Sequence, residues 1–296
     1  MRGHLSTVLP FTKKLRLPFT RDVLMVFFIA LNELILGFET YLAHVLNGTI
    51  RFYEWIPILC GPFFALLLII SFLVNTKKPA LGISIASVAL WGSIVVGLLG
   101  TYFHVVRAIR PFAALGNRID LRLLVWGAPV FAPPTFILIG LLGLMALSRT
   151  RNGINHGAYA NVVWKNLPFS KDTLYFIFTS FGVLIATISS IFDHLRGGFH
   201  NPWLWFPTLA GVYAYVVAIA LAIIKQPKLG DLTAYTGAMV LLLIVGPVGL
   251  LLHILFNLGP GGVIVWERFL KGAPVLAPMV FSNMGLLGLL VLFDPE

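Results

Sequence analysis

The stretch Leu17-Pro18-Phe19-Thr20-Arg21-Asp22 opens an apolar run that continues to Val45. At an offset of 150 residues, Leu167-Pro168-Phe169-Ser170-Lys171-Asp172 opens another. Reading outward from these two hexapeptides gives both the class of the fold and its organisation. Each run is roughly 20 residues or longer, the length that crosses an apolar core of about 30 Å at about 1.5 Å rise per residue. Eight such blocks occur, near residues 22–45, 55–75, 81–106, 127–147, 172–194, 203–224, 232–257 and 273–293, separated by charged or Gly/Pro-rich segments. They are continuously apolar and do not alternate over about 10 residues, so they predict helices and not barrel strands. With 58% hydrophobic and 11% charged residues, the chain is too poor in polar groups to cover a soluble domain of 296 residues. The expectation is an all-α integral membrane protein with eight transmembrane helices.

The hexapeptide match extends along the chain. At the same offset His44 matches His194, Gly48 matches Gly198, Trp55 matches Trp205 and Pro57 matches Pro207. Lys-Lys-Pro-Ala-Leu-Gly at 77–82 matches Lys-Gln-Pro-Lys-Leu-Gly at 225–230. Gly-Ala-Pro-Val-Phe-Ala-Pro at 127–133 matches Gly-Ala-Pro-Val-Leu-Ala-Pro at 272–278, and Gly-Leu-Leu-Gly-Leu follows at 140–144 and 285–289. Kept order and near-constant spacing predict two tandem four-helix repeats, 1–147 and 172–296, joined by a polar linker at 148–171. An even number of spans per repeat makes the two parallel-oriented, related by an axis along the membrane normal. Part of the shared pattern has a local cause. Thr20 and Ser170 are good N-caps, Asp22 and Asp172 suit a helix N-terminus, and Gly140, Gly143, Gly285 and Gly288 form small-residue seams.

The formal charge of +10 is arranged as a membrane protein arranges it, which excludes a nucleic-acid partner. Thirteen of the 21 basic residues, and eight of the nine lysines, fall before the first span and in the even-numbered connections. The positive-inside rule then puts both termini and the linker in the cytoplasm, in a prokaryotic inner membrane, with Arg107, Arg110, Arg118 and Arg122 of loop 3 as the exception. Trp55, Trp126, Trp203, Trp205 and Trp266 fall at the opposite, outer ends of spans, as an interfacial belt would. Residues 1–20 lack the apolar core of a signal peptide, so the first span is expected to serve as an uncleaved insertion signal. A single cysteine, Cys60, excludes an intrachain disulfide and a Cys-rich metal site. No P-loop, dinucleotide fingerprint, Gly-x-Ser-x-Gly or His-Glu-x-x-His motif occurs.

Four of the seven histidines are singled out by position. His44, His104, His194 and His253 end spans one, three, five and seven, and form two repeat-matched pairs. Imidazole is a standard ligand of transition metals and of haem iron. The four histidines therefore point to a haem b or copper site near the outer face, with Asp193 as a further metal ligand. The alternative is that each histidine caps the carbonyls of its own helix end. Asp193, His194 and His200 cluster in the second half, where Asp193 with Arg196 equally reads as an ion pair at a helix end. His4 and His156 read as solvated.

Glu33 lies mid-span, 11 residues from His44; three turns of helix put Glu33, Thr40 and His44 on one face. A carboxyl at that depth is expensive unless neutral, paired or facing water, and marks a proton relay unless it bonds a neighbouring helix. Its match in the second half is Val183, so the role belongs to one half. Glu39 matches Ser189. Three functions stay open. The first is a redox or metal-binding subunit with haem b or copper, exchanging electrons with quinone. The second is a proton-coupled transporter or channel using Glu33. The third is a structural subunit. In each case the partners are the lipid bilayer and either other membrane subunits or further copies of the chain.

Overall fold

A computed structural model describes residues 4–10, 12, 19–45, 48, 50–109, 122–126, 129–148 and 169–293. Most of the predicted linker, His156 and the loop 3 residues Arg110 and Arg118 lie outside these. Among the described residues the structure is helical, without a strand. The helices are α1 His4–Val8, α2 Arg21–Val45, α3 Trp55–Asn75, α4 Pro79–Ile109, α5 Arg122–Trp126, α6 Pro134–Ala146, α7 Lys171–Arg196, α8 Trp205–Ile223, α9 Leu229–Asn257, α10 Trp266–Lys271 and α11 Met279–Val291. Six of them (α2, α3, α4, α7, α8 and α9) are long and apolar enough to cross a membrane.

The fourth and eighth predicted spans hold shorter apolar helices. They are helical over 13 residues each, α6 and α11. That is about 20 Å, short of a bilayer core of about 30 Å. Proline sets the limit. Pro133 and Pro134, and Pro278 in the second half, have no N–H to bond the preceding turn. The lead-in therefore runs as tight turns, Ala132 N–H to Pro129 O at 3.3 Å and Ala277 N–H to Pro274 O at 3.3 Å.

The described chain forms two compact units. The first contains α2 to α6 and ends at Lys171; the second contains the rest of α7 through α11 together with α1. In the first, α3 packs on α2 and α4, and α6 on α4 and α2. Close approach is possible because Gly61 has no side chain: a Cβ there would stand 2.5 Å from the Glu33 carbonyl and 2.9 Å from Gly37. In the second unit α9 packs on α8 and α11, where a Cβ on Gly285 would stand 2.5 Å from the Met239 carbonyl. Small residues at such seams are how helices associate where lipid is as apolar as the side chains.

Polarity is inverted relative to a soluble bundle. Leu59, Leu66 and Leu73, one per two turns of α3, are exposed, while Asn32, Glu33, Ser71, Ser93, Thr179 and Ser180 are buried. The exposed indoles of Trp126, Trp203 and Trp266 lie at helix ends. Both features are consistent with a membrane location.

The short helices end on borrowed donors. Ala146 O and Ser148 O, at the C-terminus of α6, accept from Lys171 Nζ at 2.9 and 3.0 Å. The same ammonium pairs with Asp22 at 2.5 Å, and the lysine side chain is 4% exposed. In the second unit Leu292 O, just past α11, accepts from Leu5 N–H of α1 at 2.9 Å. Replacing Lys171 by Met removes a donor from two buried carbonyls and a cation from Asp22. Unfolding in detergent should show a loss of about 3 kcal/mol. Lys271→Met, at an exposed pair with Glu267, should leave the midpoint unchanged.

Candidate functional site

Glu33 is fully buried on α2, which packs against α3 and α6. Its polar neighbours are Cys60 on α3 and Ser93 on α4. The Ser93 hydroxyl gives its proton to Phe136 O at 2.8 Å, so its oxygen is left able only to accept. From Glu33 the same face of α2 continues through Gly37 and Thr40 to His44. Eleven residues of helix make this about 16 Å along the axis.

At the end of that face two of the predicted histidines come together. The rings of His44 and His104 lie 6.4 Å apart between centroids, crossed at 75°. His44 Nδ1 is 2.8 Å from Thr40 O and His104 Nδ1 is 2.9 Å from Pro129 O. A carbonyl can only accept, so both rings carry their proton on Nδ1. His253 repeats the second contact, with Nδ1 2.8 Å from Pro274 O.

These two carbonyls are special in sequence as well as in space. Pro129 O would bond the N–H of residue 133, and Pro274 O that of residue 278; both positions are proline. Histidine adds a second donor to each, beside the N–H of Ala132 or Ala277. A side-chain donor also serves inside α9, where Pro247 cannot reach Leu243 O and the Ser282 hydroxyl donates to it at 2.8 Å.

The second unit treats its other histidine differently. His194 and Asp193 both lie within electrostatic range of His253. The His194 Nδ1 is buried without a hydrogen-bond partner, and its ring meets the edge of Phe199 at 5.7 Å. Asp193 pairs with Arg196 at 3.4 Å, the helix-end ion pair that its spacing also predicted. His200 is exposed and packs over Gly198, whose φ of +80° closes the turn. Among the described residues no group of three or more His, Cys, Asp or Glu could hold a metal ion. A cavity of about 310 Å³, lined by Phe256, Asn257, Val265, Arg268 and Lys271, touches none of the four histidines.

Comparison with protein-family models, with curated proteins and with solved structures finds no match.

Sequence reading missed the donors Lys171, Ser93 and Ser282. For Ser282 a signal existed: a proline in an apolar helix leaves the carbonyl four residues earlier without a partner. His104→Ala and His253→Ala should each cost about 1–3 kcal/mol in unfolding experiments. His→Gln, whose amide can still donate to the carbonyl, should recover most of that loss.

Proposed function

We propose that the chain is a proton-coupled membrane transporter or channel, with Glu33 as the group that takes up and releases the proton. The observation that carries this reading is a fully buried carboxyl with the Ser93 hydroxyl beside it, on a helix face that leads to two histidines at the helix end. Ionisable side chains at such depth are costly and mark ion pathways. Ser93 suits a carboxyl in its neutral, donating form, because the serine proton is already committed to Phe136 O. Outward movement of the proton would pass Thr40 and reach the imidazoles, whose lone pairs can accept it.

The wider setting belongs to the same proposal. The chain crosses the membrane eight times, with α6 and α11 completing their crossings through the Pro-rich lead-ins. The two halves arose by duplication and share one orientation. The histidine-bearing ends face outward, both termini are cytoplasmic, and the membrane is the inner membrane of a prokaryote. The chain's partners in the bilayer are further copies of the chain or other membrane subunits.

A redox reading, with haem b or copper on the histidines and quinone as electron partner, draws support only from the Nδ1–carbonyl bonds, which are the usual outer support of a metal-bound imidazole.

Reconstituted protein in vesicles with an entrapped pH dye should take up protons when the outside is acidified. Glu33→Gln should lower the rate by about 10-fold or more, within the span that a positioned proton-transfer group contributes. Glu39→Gln should leave it unchanged. Equal rates for Glu33→Gln and the unaltered protein would sink the proposal, as would a lack of uptake in both.

A further inference from the structure

We propose that His44 and His104 form a binding site for a divalent transition-metal ion of the copper or zinc class, and that this site belongs to the first unit alone. The tautomer argument gives the ligand atoms. With Nδ1–H committed to Thr40 O and Pro129 O, each neutral ring presents Nε2 as a bare lone pair. Among the described residues no hydrogen bond reaches either Nε2. Two such nitrogens sit on half-buried rings 6.4 Å apart, each ring fixed from behind by a backbone carbonyl. Imidazole nitrogens held in this way suit copper, zinc and nickel.

The surroundings tolerate a cation. Glu54 and Arg107 are the charged groups within electrostatic range of His104, one of each sign. One Glu54 oxygen accepts from Arg51 N–H at 2.8 Å, which holds the carboxylate on its turn. Two protein ligands leave the remaining coordination positions to water, so the ion exchanges and is not a built-in centre.

The second unit has the same residue types without the same site. His253 keeps its carbonyl bond, but His194 has its Nδ1 buried without a partner, its ring meets Phe199 edge-on and it hydrogen-bonds the Leu204 backbone. Its carboxylate, Asp193, is taken by Arg196. The sequence match between the pairs therefore does not extend to their chemistry.

This inference does not rest on the role given to Glu33, and its test measures binding alone. Tag-free full-length protein in detergent micelles is titrated with Cu²⁺ and followed by electron paramagnetic resonance. One equivalent per chain is expected, with the splitting of two imidazole nitrogens, displaced by Zn²⁺ and lost on acidification as the rings protonate. His44→Ala and His104→Gln should each weaken binding by about 10–100-fold or more. His104→Gln keeps the donor to Pro129 O and so separates ligand loss from fold loss. His4→Ala and His194→Ala should change nothing. The inference is overturned if the unaltered protein binds no stoichiometric Cu²⁺, if the His44→Ala/His104→Gln double variant retains it, or if His4→Ala alone abolishes it.

Discussion

Carbonyls beside prolines at 133, 247 and 278 draw hydrogen bonds from side chains of neighbouring segments, and much of this structure follows from those bonds. The chain carries prolines at 133, 247 and 278, each inside or leading into an apolar helix. In water such a carbonyl would be solvated at little cost; in hydrocarbon an unmet backbone group costs several kcal/mol. The partners are specific side chains: His104 for Pro129 O, Ser282 for Leu243 O and His253 for Pro274 O. Each spans two helices, so the requirement that satisfies one helix also fixes its neighbour. The positions of α4 against α6 and of α9 against α11 are set as much by these bonds as by the glycine seams.

This explains why the fold was partly legible in the sequence. Apolar length gave six of the helices with their ends close to place, because the membrane imposes a length on any run that crosses it. It did not show how short the helical parts α6 and α11 are, since apolar composition says nothing about whether the backbone can close its turns; Pro133 and Pro278 bear on that. The pairing of His44 with His104 followed from equal depth at the ends of two spans. Their hydrogen bonds could not be read from single positions, because the acceptors lie about 25 residues away or on the ring's own preceding turn. Lys171 was read only as a loop charge, yet its ammonium is buried against α6.

The histidines thus hold two occupations at once. Nδ1 serves the backbone in three of the four, within its own helix for His44 and across to the next segment for His104 and His253, and the opposite nitrogen is left over for chemistry. A structural use and a functional one are not alternatives for an imidazole, whose two nitrogens face opposite ways. The two units differ at the first nitrogen as well: His44 Nδ1 meets Thr40 O, whereas His194 Nδ1 is buried without a partner. His253 and His104 keep the same carbonyl partner, while the neighbours of His44 and His194 differ. Glu33 against Val183 is divergence of the same kind, confined to one unit whose packing tolerates a carboxyl.

The donors that seal α6 and α11 also bear on how the protein is made. Lys171 follows α6 by 25 residues, so the first unit cannot be closed while the ribosome is still completing its last helix; it waits for the first residue of α7. The second unit waits in the opposite sense. Its final helix is capped by Leu5, made well before Leu292, and Leu5 must stay available until Leu292 is synthesised. Insertion and sealing are therefore separate events in time, and a change in α1 would act on a helix made much later.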